Sequence, residues 1–212
     1  MWYVESVGLV KTPRGLTLDG VQHPRNIFTL WTKAELAAIG IKPASIAAVN
    51  QRYQTTGELT WDTSGDEAVG TYTATDVDFT NLKSQMKDEV NSMAAGVLSS
   101  SDWMSIRAAD GGTAVPSAWA TYRTAVRTTA NAKETEIDAL ANLDAVKAYE
   151  AHPVTYTRKT FDDAAKTWGA PNVTTNVTVN KVTWGAEGGH ADSWPISPDH
   201  VADPSFVSVV NT

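Results

Sequence analysis

Two runs of apolar residues at helical spacing constrain this chain more than anything else in it. The first is Leu82, Met86, Val90, Met93 and Val97; the second is Trp119, Tyr122, Val126, Ile137 and Leu140. Steps of three or four residues place each run on one face of a helix. Asp78 or Thr80 can cap the first helix. The triplet Ser99-Ser100-Ser101 interrupts the pattern and offers a cap for a short piece starting at Asp102, with Trp103 and Ile106 on one face and Gly111-Gly112 as its end. Pro116 and Ser117 then open the second long helix, since proline is tolerated where the first amides have no helical partner. Lys133, Glu134 and Glu136 form its solvated face. Two long helices so connected fold back as an antiparallel hairpin. Asn142 can cap a last short helix through Val146 and Tyr149, ending before Pro153.

The flanks read differently. Ahead of the helices, Trp2, Val4 and Val7 to Val10 suggest a first strand, Thr12 to Gly15 a turn, and Leu16 and Leu18 a second strand before the tight-turn pair Asp19-Gly20. Ile27-Phe28 continues in extended form. Thr32 and Glu35 have capping-box spacing for a short helix that Gly40 stops, and Pro43 begins a connector. Glu58 to Trp61 and Ala68 to Ala74 are strand-like around the polar loop 62–66. After the helices, Val154, Tyr156 and Phe161 lead to a polar turn, with Asp162-Asp163 as the first turn of a short helix. Val173, Val177 and Val179 then alternate with polar residues as a half-exposed strand. The expected architecture is α+β: a small β-rich unit with one short helix at 1–77, a helical hairpin at 78–150, and an extended β-like arm at 151–212. The terminal segment with Phe206, Val207 and Val209 pairs either with another chain's sheet edge or with its own sheet.

Charge and composition remove several classes of function. The net charge is −7 and no basic cluster offsets it, which argues against a phosphate-gripping, nucleic-acid-binding role. Cysteine is absent, which excludes thiol catalysis, thiolate metal sites and disulfides. No apolar stretch approaches the roughly 20 residues of a membrane span, and the N-terminus lacks the pattern of a signal peptide. Eight Trp among 212 residues point to contact surface, because Trp serves cores and interfaces alike.

Tests for an enzyme find no recognised motif. There is no G-x-S-x-G elbow, no G-x-G-x-x-G and no phosphate-binding loop. His190, Asp192, Asp199 and His200 could be imagined as a metal site, but their spacing fits no ligand motif. The expectation is a non-enzyme with no cofactor and no metal. Candidate partner-binding residues are Asp102, Trp103, Trp119, Tyr122, Arg123 and Arg127. Trp103 and Trp119 read as hairpin core or as a partner anchor. Arg123 and Arg127, four apart, can pair with Asp102 or with acids on a partner. Val177, Val179, Trp184, Trp194, Phe206, Val207 and Val209 form a candidate contact arm.

The central stretch resembles a bacteriophage family, the tail assembly chaperones and tail-fibre-associated virion proteins. Its core reads T/S-D-W, then P-x-x-W-x-x-Y-R-x-x-L-R. Here that core is Ser101-Asp102-Trp103, Pro116, Trp119, Tyr122-Arg123 and Arg127, with Val126 where the family usually has Leu. The similarity covers roughly residues 80–150; Asp19-Gly20, Pro24 and the run Thr32 to Gly40 resemble what precedes this core in phage virion proteins. The resemblance implies a virion structural protein of the tail, baseplate or fibre-attachment region, made in the host cytoplasm. Its partners would be other virion proteins or copies of itself, with neither nucleic acid nor membrane. A transient assembly chaperone is the alternative. Short chaperones of this pattern end soon after the Tyr-Arg helix, whereas this chain continues through 151–212, which favours a component that stays in the particle. Truncation after Pro153 is expected to leave a soluble hairpin that no longer incorporates.

Overall fold

The computed structural model describes residues 1–162, 164, 167–184, 193–199 and 206–209. The fold is α+β, and the chain divides into two compact units, Met1–Val77 and Asp78–Thr212.

The first unit holds β1 (Trp2–Val4), β2 (Gly8–Val10), β3 (Leu16–Leu18), β4 (Val21–His23), α1 (Ile27–Leu30), α2 (Lys33–Ala38), β5 (Ile41–Ile46), β6 (Gln54–Asp62) and β7 (Ala68–Asp76). Five strands form one sheet in the order β2-β1-β5-β7-β6, antiparallel except between β5 and β7, and β3 pairs with β4 in a separate hairpin. The Asp19-Gly20 pair turns that hairpin, with φ of 50° and 79°, as a two-residue type I′ connection demands. Val4, Val10, Leu16, Leu18, Ile27, Phe28, Leu36 and Ile41 make the core.

The Thr32 capping box forms in full. The Thr32 hydroxyl accepts from the Glu35 amide, and the Glu35 carboxylate accepts from the Thr32 amide at 2.8 Å. Those bonds, from the Thr32 backbone first and its hydroxyl second, hold the Glu35 carboxyl below its ordinary pKa.

Three local expectations fail here. Val7 to Val10 is not one strand with Trp2 and Val4, because the Val7 amide turns back to the Val4 carbonyl and starts a second strand. Ile27-Phe28 is helical rather than extended, which sends both side chains into the core. Pro43 lies inside β5, where the strand passes from its β1 partner to its β7 partner; the neighbouring Ala44 amide donates to Met1 there, and proline's missing donor is not needed.

The second unit holds α3 (Phe79–Ala109), α4 (Ser117–Ala139), α5 (Leu143–Glu150), β8 (His152–Asp162), β9 (Thr167–Val179) and β10 (Phe206–Val209). Helices α3 and α4 run antiparallel: Lys83 reaches the Asp138 carbonyl, Asn91 reaches Glu134, and Tyr122 reaches the Val97 carbonyl. Asp78 and Asn142 cap α3 and α5. Leu82, Met86 and Val90 are buried, together with Val126, Ala130 and Ile137 from α4. Full burial of an aliphatic side chain of this size contributes about 1.5–3 kcal/mol.

Expectations about the helices need two corrections. No new helix starts at Asp102, since α3 runs unbroken through the three serines. Their hydroxyls bond back to the helix's own carbonyls, Ser99 to Gly96 and Ser101 to Leu98, which leaves the backbone ladder intact. Lys133 is not solvated but 2% exposed: its ammonium donates to the Lys181 carbonyl and lies 5.7 Å from the Trp194 ring.

The expected β-like segment after the helices contains a three-stranded sheet among its described residues. β8 and β9 form a long antiparallel hairpin and β10 pairs with β8, so Phe206–Val209 joins its own sheet. Phe161 belongs to β8 as expected, and Asp162 ends that strand rather than starting a helix. Val154 and Trp184 pack together, with Val177 and Val179 against them. The Trp194 indole donates to the Val182 carbonyl at 2.9 Å and its amide to the Trp184 carbonyl at 3.1 Å. Lys181 fastens this region to the helices through an ion pair to Glu136 and through its own amide to the Tyr149 carbonyl.

Candidate docking site at the hairpin tip

The α3–α4 connection is closed by backbone chemistry. The Gly112 amide donates to the Arg107 carbonyl and the Gly111 amide to that of Ala108, a Schellman closure with Gly111 at φ 81°. A side chain at Gly112 would press on Arg107, whose carbonyl oxygen would lie 2.9 Å from its Cβ. Here the Gly-Gly pair ends a helix of 31 residues rather than a short one.

Two to three turns in from this end, Arg123 joins the two helices. Its guanidinium donates to the Leu98 carbonyl at 3.2 Å, the Ser101 hydroxyl at 2.6 Å and the Asp102 carboxylate at 2.8 Å. Arg123 is 7% exposed and Ser101 is fully buried, while the Asp102 side chain is half exposed. The fork of the guanidinium suits three acceptors on one helix turn, which a lysine's point charge would not match. Tyr122 and Trp119 pack edge to face with ring centres 5.6 Å apart. Burial raises the Tyr122 phenol above its usual pKa. Both rings are core.

Trp103 is the exception among the predicted aromatic residues of the hairpin. It is 51% exposed, with Ile106 beside it at 62%. The Arg107 guanidinium covers one side of the indole at 4.8 Å and its Nε donates to the Thr113 carbonyl, which steadies the ring against the helix end. Arg127 is exposed and stands outside the Arg123 set of bonds. The structure therefore brings Asp102, Trp119, Tyr122 and Arg123 into one braced joint, and leaves Trp103 and Arg127 on the surface.

The contact-arm residues divide differently. Trp184 and Trp194 are 8% and 1% exposed, which removes them as contact surface: Trp184 packs with Val154, and Trp194 bonds to Val182 and lies against Lys133. Val177 and Val179 are half-buried in the same cluster. Phe206 and Val209 are placed by backbone pairing to β8, with Val207 at the register shift between Phe206 and Ser208. His190, Asp192 and His200 lie outside the described residues; Asp199 is exposed. Among the described residues, no three His, Asp or Glu side chains converge as a metal site would need, and no helix is long and apolar enough to cross a membrane.

Residue spacing alone overlooked Ser101 and Ile106 as functional positions, although a signal existed. Carried on at about 100° per residue, the α3 stripe passes through Met104 and Ala108, whereas Trp103 and Ile106 fall roughly 120° and 180° away from Val97. Starting a new helix at Asp102 reset that phase.

Chemically the tip holds no nucleophile beside a base and no cluster of unpaired charge. It is a braced helix end that presents an indole and an isoleucine. No protein-family model, curated protein or solved structure matches the chain. The fold and site together describe an α+β protein with a rigid helical hairpin and an apolar tip.

Proposed function

We propose that this chain is a bacteriophage virion structural protein of the tail, baseplate or fibre-attachment region, working by protein–protein docking and not by catalysis. The observation that carries the docking role is the exposed Trp103–Ile106 pair on a helix end that Arg123 braces from below. Indoles on rigid supports are favoured anchors, because little side-chain freedom is lost on binding. The virion assignment rests on the resemblance of Ser101-Asp102-Trp103, Pro116, Trp119, Tyr122-Arg123 and Arg127 to the phage tail core. The partner is another virion protein.

The test is mass spectrometry of purified particles, followed by the Trp103→Ala, Ile106→Ala double variant. Stoichiometric presence of the wild type and loss of the double variant support the reading, provided the variant keeps its circular dichroism melt. Absence of the wild-type chain from particles overturns it and leaves the assembly-chaperone role.

A further inference from the structure

The first unit carries a second surface, independent of the hairpin tip. Among the described residues, strand β6 has one sheet neighbour, β7, and is nine residues long. Free edges of that length template the pairing of another strand, and folded proteins blunt them with proline, lysine, shortness or a bulge. The opposite edge, β2, has three residues, with Lys11 and Pro13 just beyond it. In the other unit, the edge strand β9 contains Pro171. β6 has neither proline nor lysine. Its bulge lies between Thr56 and Leu59, which leaves Leu59–Asp62 in regular register with Val69–Tyr72.

Charge selects the occupant. Residues 54–76 contain Glu58, Asp62, Asp66, Glu67 and Asp76 and no Lys or Arg. All five are exposed; Glu58 and Asp62 flank and lie on the regular part of the edge, whereas Asp66 and Glu67 line a pocket with Lys33 and Lys42. A second copy of β6 is a poor partner: antiparallel pairing centred on Thr60 would set Glu58 of each chain opposite Asp62 of the other, and like charges across a strand pair are destabilising. A strand with Lys or Arg at alternate positions would meet those acids with opposite charge while its backbone completed the ladder.

We infer that the free edge of β6 takes up an extended, basic strand from a partner protein by β-augmentation. The exposed threonines Thr55, Thr56 and Thr60 leave room on both faces for the incoming side chains.

The experiment is amide hydrogen exchange on the full chain, with and without a short synthetic peptide alternating Lys with Val, and in parallel one alternating Glu with Val. The Lys peptide is expected to slow exchange within Leu59–Asp62 by at least about tenfold, and the Glu peptide to leave it unchanged. The Glu58→Lys, Thr60→Lys double variant, which spares the Asp62 bonds to Ser64, should lose the slowing while keeping its thermal melt. Binding of the Lys peptide without slowing in β6 means general attraction to an acidic surface and overturns the proposal. Retained slowing in the double variant overturns it too. Concentration-dependent protection of β6 without peptide, matched by a dimer in sedimentation, assigns the edge to a second copy and overturns the basic-strand partner.

Discussion

The root and the tip of the helical hairpin are built from the same two helices and held by different forces. At the root, Leu82, Met86 and Val90 of α3 are at most 2% exposed, and Val126, Ala130 and Ile137 of α4 are buried with them. Beyond Val90, Ser101 is the one buried residue of α3. The tip is instead joined by the Arg123 guanidinium and its three acceptors, with Trp119 and Tyr122 beneath. Apolar packing is non-directional and tolerates some sliding, whereas a forked cation on three fixed acceptors sets one register. The difference shows how a hairpin can extend past its core and still hold an exposed tryptophan in a defined place.

The largest effect should come from removing what covers the root. Truncation after Pro153 takes away Val182, Trp184 and Trp194 and leaves the buried Lys133 without the Lys181 carbonyl. Losing either Trp from a core costs about 3–5 kcal/mol, so the fragment should not show a cooperative thermal melt. This reverses the expectation of a soluble hairpin, and a fragment with native helicity and a sharp transition would prove the root self-sufficient.

Within the intact chain, Met86→Ala should lower stability by about 2–5 kcal/mol in urea titration, since Met86 is fully buried. Arg123→Ala should cost about 1.5–3 kcal/mol, the range for hydrogen bonds to a charged group. Its signature should be local: amide exchange should accelerate through residues 98–110 and remain slow around Leu82 to Val90. Equal acceleration at both ends would erase the distinction between root and tip. Trp103→Ala should change stability least, by under about 1 kcal/mol, because it removes one exposed cation–π contact. Urea midpoints for this variant and the wild type should nearly coincide, and a large drop would mean that Trp103 is structural after all.

Much of the fold could be read from residue spacing. The capping box at Thr32 and Glu35, the Asp19-Gly20 turn, the Asn142 cap and the buried stripes of α3 and α4 all follow from local rules acting within a few residues. So does the α+β character. Local rules failed where distant groups decide the outcome. Ser99-Ser100-Ser101 looks like a break, yet the serines bond back to their own helix and an arginine 22 residues away secures Ser101. Lys133 looks solvated, yet the Lys181 carbonyl and the Trp194 ring close over it. Trp184 and Trp194 look like contact surface, yet Trp184 packs into a cluster that exists only once β8 and β9 have paired, and Trp194 is buried against Lys133.

The sequence by itself determined where helices and turns form, because caps, glycines and apolar period act on neighbouring backbone. Tertiary structure alone decided which tryptophans are buried and which face outward. A side chain's environment is set by whatever folds over it, and those covering groups come from elsewhere in the chain.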